Sequence, residues 1–229
     1  MAPGDGKESA SRAAHALETL ATRQTIRRFR PERVSAWMAE RLIDAAAAAP
    51  SAHNRQPWRF CLVWDDAHKR ALADRMGARL RADRERDADD ADAIGADVAR
   101  SRARIVEAPL VIVVSMTMAE MDRYPDAPRA RREHHLAVQS AAMAGQNLLL
   151  AAHALGLGAC WMCAPLFCPG EARAALDLPT DWEPQALVLV GHPAEPGRNK
   201  PRKPRDRIVI HRGIQPFGDA SPRSAGRGA

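Results

Sequence analysis

The stretch Pro50-Ser51-Ala52-His53-Asn54-Arg55-Gln56-Pro57-Trp58-Arg59-Phe60 restricts the possible folds more than any other part of the chain. Its two prolines bracket small and polar side chains, so neither a helix nor a central strand can run through it. An alanine-rich helical pattern, Ser35 to Ala49, comes just before. Just after it, Trp58, Phe60, Leu62 and Trp64 alternate with Arg59, Cys61 and Val63, the pattern of a strand with one apolar face. A stiff polar loop between a helix and a strand suits the presentation of hydrogen-bond donors to a planar ligand. It equally suits a plain connection whose Ser, Asn and Gln satisfy the backbone.

Flanking patterns extend the reading in both directions. Residues 1–12 are polar and rich in small side chains, expected to be a disordered start. A short helix over Ala13–Ala21 leads into a basic segment, Arg23-Gln24-Thr25-Ile26-Arg27, and Ser35 is a candidate N-cap. Asp66 is placed as the cap of a helix carrying Leu72, Met76 and Leu80. The densely charged Arg81–Arg104 region reads as an exposed helix or a mobile excursion, a lid among its roles. Leu110–Val114 and Ala186–Gly191 read as buried strands, with Met118–Ala130 a loop between them. The longest helical pattern, Arg131–Leu155, carries a stripe of Val138, Ala142, Gly145, Leu149 and Ala152. A short helix over Gly170–Leu176 follows. The class is α/β or α+β, a small sheet between helices, with residues 13–212 as one domain and 213–229 as a flexible tail.

Charge and cysteine content exclude several functions. The net charge of +6 raises nucleic acid as a partner, but much of the excess sits in Arg198–Arg207 and in Arg223 and Arg227. No aromatic residue interleaves that run, so a stacking platform for single strands is not expected. Four cysteines without a preceding apolar leader point to a reducing, cytoplasmic setting. No apolar run approaches the ~20 residues of a membrane span. Cys160-Trp161-Met162-Cys163 is formally C-x-x-C but lacks a clear fourth zinc ligand, and adjacent His134 and His135 point in different directions on a helix. No metal is expected.

The constellation favoured by residue type combines Arg23, Thr25, Arg27, the Pro50–Phe60 loop, Lys200 and Arg202. A phosphate needs cations and hydroxyl donors from separate directions, and Arg offers bidentate contacts. Asn54 and Gln56 offer paired donors and acceptors for a heterocycle edge. The alternative is that all are solvated surface groups.

The basic segment, the P-S-x-x-N-x-Q-P-W-x-F loop and the closing Lys200-Pro201-Arg202-Lys203-Pro204, in that order, resemble the nitroreductase family of flavoproteins. The resemblance spans about residues 17–212. It implies an α+β fold with a small mixed or antiparallel sheet flanked by helices, in an intertwined homodimer with FMN at the subunit interface. Carried over, Arg23, Gln24, Thr25, Arg27, Lys200 and Arg202 hold the phosphate and ribityl chain. Pro50, Ser51, Ala52, Asn54 and Gln56 reach the flavin from the neighbouring subunit, and the backbone of Met162, Cys163 and Ala164 approaches its reactive nitrogen. Gln24 replaces a commoner cation, Thr25 stands in for Ser, and Cys163 lies where many relatives carry Glu. His53 and Arg55 are more basic than usual, which together with Arg59 suits an acidic substrate.

The resemblance therefore implies an FMN-dependent oxidoreductase that passes hydride from NAD(P)H through the flavin to a small-molecule acceptor in a ping-pong cycle, with no membrane or nucleic-acid partner. No side chain need act as general acid; His53 is the candidate if one does. Leu155–Pro165 is similar to the reductase domain fused to the glutamyl ligase of deazaflavin-cofactor biosynthesis, whose substrate is a dehydro precursor of that cofactor. Other readings are a general nitroaromatic, quinone or enone reductase, a flavin-storage protein, and a flavin-destroying relative.

Overall fold

In the computed structural model, which describes residues 5–213, the chain opens with two helices, α1 (Asp5–Thr22) and α2 (Ala36–Ala47). α1 therefore starts within the stretch expected to be disordered. Its alanines and leucines favour helix strongly enough to carry the polar residues with it. Residues 1–4 and the expected tail beyond Gly213 lie outside the described residues. Ser35 caps α2 as expected, its Oγ accepting from the Met38 N–H at 3.2 Å.

Strand β1 (Trp58–Val63) follows, then α3 (Asp66–Arg86) and α4 (Ala91–Val106). The cap of α3 is Asp65 and not Asp66, its carboxylate accepting from the His68 N–H at 2.9 Å. The charged region is helical and largely exposed, the first of its two expected forms. It is the end of α3 and all of α4, packed on each other as a hairpin. Ile94 and Ile105, each 1% exposed, supply its apolar anchor, and Gly77 admits Val98 so closely that a Cβ there would lie 3.1 Å from Val98 Cγ1.

Strand β2 (Leu110–Met116) is buried along its whole length. α5 (Ala127–Ala154) starts earlier than its periodicity suggests, because Asp126 caps it and Pro128 occupies the first turn, where a missing N–H costs nothing. Its buried stripe is Ala137, Ser140, Ala141, Ala144, Gly145, Leu148, Leu149 and Ala152, while Ala142 faces outward. β3 (Gly158–Met162), α6 (Pro169–Leu176) and β4 (Glu183–Gly191) complete the fold. β3 was not legible in the sequence, since Gly, Ala and Cys give no β-branched pattern.

The four strands form one antiparallel sheet in the order β1-β2-β4-β3. Leu110, Ile112 and Val114 pack with Trp58, Val188 and Val190 against α2 and α5. Val111 and Val113 pack with Leu187, Leu189 and Cys160 against the α3 and α6 side. β1 is covered on both faces, not one: Phe60 and Leu62 join the first cluster, Cys61 and Val63 the second. Each buried aliphatic side chain contributes about 1.5–3 kcal/mol, so the two clusters dominate stability. Residues up to Arg198 form one compact unit. From Asn199 a second unit begins, an exposed segment with one 3-10 turn at Arg205–Arg207. Among the described residues no helix is long and apolar enough to cross a membrane.

Candidate functional site

The basic segment after α1 leaves the helix as an extended arm along the outer edge of β3. The Ile26 N–H donates to the Ala159 carbonyl at 3.0 Å and Thr25 bridges Ala159 in parallel. Further on, the Arg30 N–H donates to the His192 carbonyl at 2.8 Å and the Ala194 N–H to the Arg28 carbonyl at 3.1 Å. Close approach fixes the arm sideways: a Cβ on Gly158 would sit 2.7 Å from Ile26, and one on Gly197 2.4 Å from the Gln24 side chain. Alternation along the arm then buries Ile26 and leaves Arg27 exposed. Arg28 and Arg30 pair with Glu195 and Glu32. Among the described residues, neither Arg23 nor Arg27 has an acidic partner within ion-pair distance.

At the far end of β3 the chain turns through Cys163 into a 3-10 turn, Ala164–Phe167. The Trp161 indole lies against α5, where a Cβ on Gly145 would come within 2.1 Å of its ring. Its Nε1–H donates to Cys163 Sγ at 3.1 Å, which orients the exposed thiol. The other cysteines are free thiols in the core or half-buried. Burial pushes the Cys160 thiol up, an effect that nearby Arg27 and Arg104 partly offset. Burial with Glu171 pushes Cys168 up to about 11. Cys160 and Cys163 do not act as a disulfide pair in this structure, and among the described residues no cluster of His, Cys, Asp or Glu could hold a metal ion.

The Pro50–Pro57 loop adopts a backbone that ordinary loops avoid. His53, Asn54 and Gln56 have φ of 50°, 54° and 49°. Left-handed backbone at non-glycine residues costs on the order of 1–3 kcal/mol each, so surrounding contacts must over-determine it. Ser51 Oγ accepts from the Gln56 N–H at 3.0 Å, and Asn54 Oδ1 accepts from Gln56 Nε2 at 3.3 Å. The Ala52 N–H donates to Ser140 Oγ on α5 at 3.3 Å. The Thr117 N–H donates to the Pro57 carbonyl at 2.9 Å. Arg55 pairs with Asp122, and Arg59 Nη2 donates to Glu120 Oε1 at 2.6 Å. These two arginines are thus spent on internal carboxylates, which removes the main reason to expect an acidic substrate there. None of Glu120, Asp122, Glu133 and Ser140 was singled out from sequence. They lie in no motif, and only the fold brings Glu120, Asp122 and Ser140 to the loop and its flank, with Glu133 behind Asp122.

Sheet order separates two parts of the predicted site. The loop enters β1 at one edge, while the arm and the Met162–Ala164 turn belong to β3 at the other. Four inter-strand steps of about 4.8 Å put roughly 19 Å between arm and β1. The structure therefore joins Arg23, Thr25 and Arg27 with the β3 edge, but not with Asn54 and Gln56 of the same chain. Lys200 and Arg202 are exposed within the second unit. Beside the loop, a pocket of ≈ 560 Å³ opens at the end of β2, lined among others by Met116, Met118, Asp122, Tyr124, Asp181 and Glu183.

The nitroreductase family model matches residues 20–192. The chain belongs to the nitroreductase family. An NADH dehydrogenase of Thermus thermophilus is 33% identical over 214 residues, covering 83% of this chain and 92% of that protein. A 5,6-dimethylbenzimidazole synthase of Rhodospirillum rubrum is 33% identical over 181 residues, covering 76% and 79%. Among solved structures, a nitroreductase-type protein of Desulfovibrio desulfuricans in complex with FMN has a TM-score of 0.65 at 26% identity, covering 87% of this chain and 98% of its own. The nitroreductase fold, a small antiparallel sheet flanked by helices, is the architecture described above.

Proposed function

We infer that this nitroreductase-family chain is an FMN-dependent oxidoreductase that takes reducing equivalents from NAD(P)H and passes them to an organic acceptor. The observation that carries the reading is the contrast along the arm: Arg28 and Arg30 have carboxylates at 3.9 and 3.4 Å, while among the described residues the two motif arginines, Arg23 and Arg27, have none within ion-pair distance. A cation held at a fixed strand edge without a counter-ion fits a phosphate. The donor set suits FMN, with guanidinium groups and the Thr25 hydroxyl for the phosphate and ribityl end, and amide groups of Asn54 and Gln56 for the ring edge.

Bound FMN would supply the hydride relay between nicotinamide and acceptor. The chain's own residues bind and orient it. Trp161 fixes the turn that carries Met162, Cys163 and Ala164, and the strained loop presents Asn54 in one geometry. Because arm and loop lie at opposite sheet edges, a homodimer in which each protomer's loop completes its partner's site accounts for both. No general acid is required of the protein, and His53 is the side chain to test if a proton is delivered.

The test is flavin binding by the full-length protein. Quenching of FMN fluorescence should report binding, and Arg27→Ala and Arg23→Ala should each weaken it by about tenfold or more, the scale of one lost charge-assisted contact. Riboflavin, lacking the phosphate, should bind wild type and both variants alike. Bleaching of the flavin band by anaerobic NADH or NADPH, then recovery with an acceptor, would establish turnover. Equal FMN affinity in wild type and both variants would overturn the phosphate assignment.

The acceptor is a nitroaromatic, quinone or enone, or the dehydro precursor of the deazaflavin cofactor. A second reading rests on the Rhodospirillum relative: oxidative breakdown of the flavin to a benzimidazole. Aerobic incubation with excess reduced FMN separates the two, since only the second yields a benzimidazole.

A further inference from the structure

The loop's strained residues are held from one direction by a single segment of acidic chain. Asp122 pairs with Arg55, which stands between left-handed Asn54 and Gln56. Glu120 pairs with Arg59, and the same guanidinium donates through Nη1 to the Gln56 carbonyl at 3.2 Å and the Trp58 carbonyl at 2.8 Å. The Thr117 N–H, at the start of the segment, holds the Pro57 carbonyl. Behind it, the Asp122 N–H donates at 3.2 Å to Oε1 of Glu133, a carboxylate on α5 that is only 3% exposed. Burying a carboxylate is costly unless it is hydrogen-bonded, and here the bond fixes the backbone from which Asp122 reaches Arg55.

We propose that residues 117–122, anchored by Glu133, form a carboxylate clasp that holds the 53–56 loop in its left-handed conformation and so sets where that loop's polar groups meet the cofactor. Glu120, Asp122 and Glu133 are positioning residues, and the cofactor half of the proposal rests on the flavin reading above. It also assigns Arg55 and Arg59 a structural partner in place of an anionic substrate. Specificity at this end of the sheet then falls to the pocket that shares Asp122 with the clasp.

Two readouts on the full-length protein test it, one of which needs no flavin. Trypsin cleavage after Arg55 reports loop opening, and FMN affinity reports positioning. Asp122→Asn should speed cleavage after Arg55 and weaken FMN binding, each by about fivefold, the upper range for a partly exposed ion pair. Asp122→Glu should recover both, and Glu120→Gln should weaken FMN binding in the same direction. The melting temperature should fall by no more than about 2–4 °C in any of the three, the shift expected of about 1 kcal/mol, which separates positioning from loss of fold. Wild-type cleavage and wild-type affinity in Asp122→Asn and Glu120→Gln would overturn the clasp. Faster cleavage in Asp122→Asn with no FMN binding by wild type would overturn the cofactor half and the flavin reading together, and support the loop-holding half alone.

Discussion

Arg23 and Arg27 differ from Arg28 and Arg30 in surroundings and not in chemistry, and that difference is what gives them a candidate role. The cysteines make the same point. Cys168 is 4% exposed, beside Glu171, and its thiol is pushed up to about 11 by burial with that carboxylate. A thiol whose folded value lies above its unfolded value near 8.5–9 stays neutral in the native state while the unfolded chain ionises. Its stabilising contribution is complete below about pH 8.5 and is lost as pH rises toward 11. Stability from urea unfolding should therefore fall more steeply between pH 9 and 11 in wild type than in Cys168→Ala, measured at the same salt. Equal slopes would place the alkaline loss elsewhere. The positions of the four cysteines were plain in the sequence, but not which were buried, because Cys160, Cys163 and Cys168 all sit in one short run and only the fold turns one of them outward.

At the scale of elements, the α3–α4 hairpin shows how charge density misleads. Its surface is laced with ion pairs, among them Arg102 with Asp74 at 2.7 Å, Arg84 with Asp97, and Arg79 bridging Asp83 and Glu171. Exposed pairs of this kind contribute about 0–1 kcal/mol each. Ile94 and Ile105, with Leu72 and Met76 of α3, supply the buried apolar seam instead. Ile94→Ala should cost about 2–4 kcal/mol in chemical denaturation, and Arg102→Ala under about 1 kcal/mol. A reversed order would mean that the ion-pair lattice, and not the apolar seam, holds the hairpin. Element type was readable wherever a cap or a long apolar run announced it, as at Ser35 and β2. It failed at β3, where small residues hide a strand whose pairing with β4 and with the arm exists only in three dimensions.

For the whole molecule, the opposite placement of arm and loop leads to a test of the proposed dimer. Arg27→Ala damages one half of each site and Asn54→Ala the other. If two chains share each site, unfolding and refolding the two variants together, at an FMN concentration too low to fill either variant's sites, should restore about a quarter of wild-type activity, since half of randomly paired dimers are hybrid and each hybrid keeps one intact site of two. Sites built within single chains would give no recovery. Sedimentation of the wild-type protein at micromolar concentration supplies the accompanying measurement.

The sequence alone determined the local chemistry: the proline-bracketed loop, the ordered basic and polar motifs, the caps, and a β2 apolar enough to lie at the centre of a sheet. These are properties of short stretches, governed by backbone sterics and side-chain type, and they were enough to place the chain among the nitroreductases. Tertiary structure decided which of several like residues became special. Strand order set arm and loop on opposite edges, α5 brought Ser140 to the loop and Glu133 to the segment beside it, and that acidic 117–122 segment paired with Arg55 and Arg59. The contacts made to the loop and to Arg59 join residues from about 60 to 90 positions apart. Their energies depend on distance in space, which no pattern of neighbours along the chain encodes.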